Sequence, residues 1–188
     1  MVRTIEPEVV QVQGAPPTLP ALLLGIGLGG FVDGIVMHQV LQWHHLLSDH
    51  GDFPVGTLEG LEGNVVADGL FHAATWVFLL AGSLVTVRAW QRRELAPPWR
   101  AHVGWLLVGW GAFNLVEGVV DHHLLGIHHV RDDLGGPLAW DVGFLVFGAL
   151  LVAVGLALGT QLSDRPEAVR STARHPDRTD RSGGRSRR

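Results

Sequence analysis

Two stretches of the chain gather the residue types that do metal chemistry. Residues 31–45 read FVDGIVMHQVLQWHH and residues 115–129 read LVEGVVDHHLLGIHH. In each, a carboxylate (Asp33, Glu117) is followed five residues on by a histidine (His38, His122) and then by a histidine pair (His44–His45, His128–His129). A third stretch, DGLFH, sets Asp68 and His72 at an i, i+4 spacing, on one face of a helix. The chain has no cysteine, which excludes disulfides and thiolate metal sites. Imidazole and carboxylate donors remain, the set used by Zn²⁺, Cu²⁺ and iron. A neighbouring carboxylate orients such a ring by accepting its second N–H.

The two stretches align without a gap at an offset of 84 residues, and seven of fifteen positions are identical. The identities are Val32/Val116, Gly34/Gly118, Val36/Val120, His38/His122, Leu41/Leu125, His44/His128 and His45/His129, while Asp33 against Glu117 keeps the charge. Chance similarity between apolar segments rarely matches three histidines and an acid. Asp68 and Asp141 also lie near the starts of the two following apolar segments. The pattern predicts two copies of one helix pair, about 19–90 and about 103–162, related by a pseudo-twofold axis along the membrane normal.

The elements that carry these residues are apolar enough to be membrane spans. Segments 19–47, 64–90, 103–127 and 138–162 each exceed the ~20 residues that cross a bilayer core. Residues 142–160 hold no charge, whereas a soluble bundle would need a polar face on every helix. Mean hydropathy is +0.24 and 47% of the residues are hydrophobic. The predicted fold is an all-α, polytopic four-helix membrane bundle over residues 19–162. A short irregular lead-in precedes it over 1–18, and a disordered Arg-rich tail follows over 163–188.

Orientation follows from the arginines, since every basic side chain apart from histidine is arginine. Arg88, Arg92, Arg93 and Arg100 flank the second connection, and eight of the fourteen arginines lie beyond Leu162. Arg131 is alone in the first and third connections, which carry Asp49, Asp52, Glu59, Glu62, Asp132 and Asp133. The positive-inside rule then places both termini in the cytoplasm and the histidine pairs towards the outer face of the membrane. Trp43 and Trp140 fall at the outer interface, and Trp90, Trp99 and Trp105 at the inner one.

At about 100° per residue, Asp33, Gly34, Met37, His38, Leu41, His44 and His45 share a sector of about 140° on the first helix. The third helix offers Asn114, Glu117, Gly118, Asp121, His122, His128 and His129 in the same sector, with Gln39 and His123 outside it. Asp33 and Glu117 then fall near mid-membrane. A carboxylate there costs about 2.5–3.5 kcal/mol on insertion scales and calls for a partner or a function. We assign metal-ligand roles to His38, His45, His72, His122 and His129 with Asp33 and Glu117. His44, His128, Asp68, Asp121 and Asp141 are alternative ligands or groups that orient them. His102 and His175 lie on the other side and receive no role.

The strings GFVDGIVMHQVLQWHH, DGLFHAATW and FNLVEGVVDHHLLGIHHVRDD resemble a bacterial family of four-helix membrane proteins known only as a domain of unknown function. The resemblance covers about residues 20–160 and implies the fold without an activity. It also implies company with cytochrome oxidase assembly factors, which tilts the metal towards copper. The spacings H-x5-HH and HH-x4-HH depart from the HxxxH and HxxHH boxes of membrane desaturases. The leading expectation is a transition-metal protein, for metal handling or redox chemistry, in contact with the lipid bilayer. Alternatives are a b-type haem protein with His38 and His122 as axial ligands, a proton or ion pathway, or a non-catalytic assembly partner of a respiratory complex. No nucleic-acid partner is expected, and a homo-oligomer is left open.

Overall fold

The computed structural model describes residues 18–94 and 97–160. The expected lead-in and the Arg-rich tail, including His175, lie outside these residues, apart from Thr18. The described residues form helices and no strand: α1 (Leu19–Val32), α2 (Leu58–Gln91), α3 (Trp99–Glu117) and α4 (Leu138–Thr160). Two π-helical extensions, Asp33–Leu41 and Gly118–Leu125, prolong α1 and α3. With these extensions all four are long and apolar enough to cross a membrane: Leu19–Leu41, Leu58–Gln91, Trp99–Leu125 and Leu138–Gly159.

The centre of the molecule is the α1–α3 contact, with α2 packed on α1 and α4 on α3. Small residues permit it. A Cβ on Gly25 would lie 2.1 Å from the Leu106 carbonyl oxygen, and one on Gly109 would lie 2.3 Å from that of Leu22. The two backbones therefore meet at matching glycines, as close-packed membrane helices do. The flanking helices expose Leu70, Trp76, Leu84, Val146, Leu150 and Val154. In water such surfaces would aggregate; in lipid they are solvated.

Burial is inverted relative to a soluble bundle. The buried large hydrophobics are few, whereas Asp33, His38, His44, Asn64, Asp68, Asn114, Glu117, His122, His128 and Asp141 are all buried. Polar groups in a hydrocarbon-facing protein have nowhere else to go.

Four boundaries differ from the sequence expectation. The first and third helices stop at Leu41 and Leu125, short of their histidine pairs, and α2 and α3 begin earlier, at Leu58 and Trp99. The physical reason is the widened π turn followed by a left-handed residue, Gln42 at φ 51° and Gly126 at φ 57°. Their backbone N–H groups donate to the Met37 and Asp121 carbonyls, and the N–H groups of Trp43 and Ile127 do the same at 3.0 and 3.1 Å. A single helical sector therefore does not describe His44, His45, His128 and His129, and Leu41, placed inside by that sector, is exposed. The early start of α2 is fixed by Thr57, whose hydroxyl accepts from the Gly60 N–H at 3.1 Å.

The first and third connections are tied together. The Asp49 N–H donates to the Ile127 carbonyl at 3.0 Å, and the Asp133 N–H donates to that of Trp43 at 3.1 Å. Arg131 lies over Trp43 and Trp140, 4.4 and 5.1 Å from their ring centroids, and grips Asp133 with two hydrogen bonds of 2.7 and 2.8 Å. That bidentate pair raises the Arg131 pKa and lowers that of Asp133.

Candidate metal centre

The two π-helical extensions and the turns after them bring four imidazoles together. Ring contacts run from His38 to His44 (4.5 Å between centroids), to the stacked His128 (4.7 Å) and on to His122 (4.8 Å). His38 and His128 are 0% exposed.

One nitrogen of each ring faces an acceptor at the edge of the cluster. His44 Nδ1–H donates to the Val130 carbonyl at 3.0 Å, and His128 Nδ1–H donates to that of Leu46 at 3.0 Å. A carbonyl only accepts, so both rings are fixed as the Nδ1–H tautomer with a lone pair on Nε2. Burial, and then the neighbouring imidazole, push both rings down to about 3, which keeps them neutral. His38 Nδ1–H donates to Asp68 at 2.9 Å, and His122 Nδ1 lies 3.4 Å from Asp141.

Asp68 and Asp141 act as matching anchors. Asp68 accepts from His38, from His45 at 2.7 Å and from the Leu46 N–H at 2.9 Å. Asp141 accepts from His129 at 2.7 Å and from the Val130 N–H at 2.9 Å. Both carboxylates are 1% exposed.

The inward atoms lack partners of their own. Asp33 Oδ2, Glu117 Oε2 and the Nε2 atoms of His38, His44 and His122 are buried with no hydrogen-bond partner among the described residues. His38 Nε2 lies 3.2 Å from Asp33, and His122 and His128 Nε2 lie 3.7 and 3.4 Å from Glu117. Where Nδ1 carries the proton, a lone pair there faces a carboxylate oxygen. Two acceptors at that distance are stable only with a proton or a cation between them. Three trios each offer ligand atoms within 4.8 Å of one another: His38–His44–His128, Glu117–His122–His128 and Asp33–His44–Glu117.

The geometry therefore gathers His38, His122, Asp33 and Glu117 with His44 and His128. His45 and His129 lie one position further out, hydrogen-bonded to Asp68 and Asp141, and enter none of the trios. His72 stands beside Gly34, between Phe31 and Phe71, also outside the trios, with a buried Nε2 that has no partner among the described residues. Asp121 is only half-buried and joins no trio. The Val130 and Leu46 carbonyls, which set two of the tautomers, carry no side-chain signal and were invisible to sequence reasoning. Ser48 and Asp132 were equally unmarked: the Ser48 hydroxyl donates to Asp132, which also accepts from the His129 N–H at 2.9 Å. Burial raises the Asp132 pKa.

Access is from the loop end. A cleft of about 470 Å³ is lined by His44, His45, Ser48, Asp49, His129 and Asp132, among others. Asp49, Asp132 and Asp133 lie in its lining, and Asp49 is 3.7 Å from His129 Nε2.

No curated protein and no solved structure matches the chain. A family model described as "Predicted membrane protein (DUF2243)" matches residues 20–162, and the chain belongs to that family.

Proposed function

We propose that the protein binds a transition metal (copper, zinc or iron) in this buried cluster, for metal handling or redox chemistry. His38, His44, His122 and His128 are the nitrogen donors, and Asp33 and Glu117 the oxygen donors. The observation that carries the reading is the outward anchoring of Nδ1 on His38, His44 and His128, which aims Nε2 atoms at Asp33 and Glu117, each with one buried oxygen that has no hydrogen-bond partner among the described residues. Asp68, Asp141 and two backbone carbonyls hold the rings, as groups behind metal-bound histidines do.

The pairing of contacts supports two repeated helix pairs. His44 reaches Val130 while His128 reaches Leu46, and Gly25 meets Leu106 while Gly109 meets Leu22, each residue lying 84 positions from its counterpart. The arginine distribution supports cytoplasmic termini and a site near the outer face of a bacterial plasma membrane. The acidic cleft then faces the side from which a cation would arrive. Haem ligation by His38 and His122 is disfavoured, because the linking rings of His44 and His128 leave no slot for a macrocycle.

The test is metal analysis and an optical spectrum of purified protein, with and without His38→Ala plus His122→Ala. Stoichiometric metal in the unsubstituted protein, lost in the double variant and without a Soret band, is expected. Sub-stoichiometric metal in both samples overturns the proposal.

A further inference from the structure

Resting on that reading, we infer that the cluster holds a pair of metal ions rather than one. One ion sits with His38, His44 and Asp33, and the other with His122, His128 and Glu117.

Two observations lead there. First, the donors fall into two sets. Asp33 lies 3.2 Å from His38 Nε2, and Glu117 lies 3.7 and 3.4 Å from His122 and His128 Nε2, while the stacked rings of His44 and His128 (4.7 Å) join the two sets. His38 and His122 share no trio. A single ion with bonds of about 2.1 Å brings opposite donor atoms within about 4.2 Å, too tight for a set this spread.

Second, the sets are joined by oxygen. Asp33, His44 and Glu117 form a trio that crosses between them, as do His38, His44 and His128. Carboxylates so placed suit ions about 3.5–4 Å apart, the spacing of two-metal sites.

The test uses Cu²⁺ alone, added to metal-stripped full-length protein in lipid nanodiscs, with metal analysis and electron paramagnetic resonance. Two ions per chain are expected, with a signal weakened or broadened by coupling. Asp33→Asn plus His38→Gln, and separately Glu117→Gln plus His122→Gln, should each keep one ion with an uncoupled signal. Circular dichroism and size-exclusion profiles establish that each variant is folded. One uncoupled ion in the unsubstituted protein overturns the pair while leaving metal binding intact, whereas none overturns both readings. A folded half-site variant that keeps two ions, or loses both, also overturns the pair.

Discussion

The two halves of the molecule, α1–α2 and α3–α4, hold the same core of contacts and differ at its edges. Both end a π-helical extension in a left-handed residue, and both anchor histidines on a buried aspartate. The differences are chemical. Asp68 receives three side-chain nitrogens (His38, His45 and Gln39), whereas Asp141 has His129 at 2.7 Å and His122 at 3.4 Å. His72 packs against Gly34 where Leu145 packs against Gly118. What the halves share is what orients the inward nitrogens; what they do not share lies outside that set. The proposed metal site lies in the common part.

The comparison can be broken most severely at the seam. Replacing His44 and His128 together with alanine removes a donor from every trio, so metal affinity should fall more than about 100-fold, beyond the usual loss of an orienting partner. Competition with a chelator of known affinity measures it, and near-normal affinity would mean that the outer pair His45 and His129 binds instead. Asp68→Asn and Asp141→Asn should each weaken metal about 10–100-fold in the same assay, Asp68→Asn more because it holds its rings more tightly.

Smaller effects sharpen the contrast. His72→Leu copies the other half and removes a buried nitrogen with no partner among the described residues; it should raise stability by about 1–3 kcal/mol and leave metal content unchanged. Thermal unfolding together with metal analysis checks both, and lost metal would make His72 a ligand. Smallest is the exchange at the left-handed turn. Gln42→Gly should gain about 1 kcal/mol and Gly126→Gln lose about 1–2, read from the same unfolding curves.

Much of this was legible in the sequence because hydropathy and spacing report it directly. The four spans, the membership of His38, His122, Asp33 and Glu117 in one cluster, and the exposure of Gln39 and His123 all follow from periodicity. The order among the histidines was not legible. Ranking His45 and His129 above His44 and His128 assumed a helix that continues, and the π turn with its left-handed stop rotates the inner member of each pair inward. Backbone acceptors such as Val130 and Leu46 leave no trace in composition, and the early start of α2 depends on a cap at Thr57 rather than on hydropathy.

The crossed bonds from His44 to Val130 and from His128 to Leu46 make the joint between the halves and the aim of the rings a single feature. Neither loop can slide along the other without both imidazoles losing the carbonyl acceptor that fixes their tautomer. A shear of one helix pair against its neighbour would therefore work as a release catch, letting go on both sides at once rather than loosening one ligand at a time.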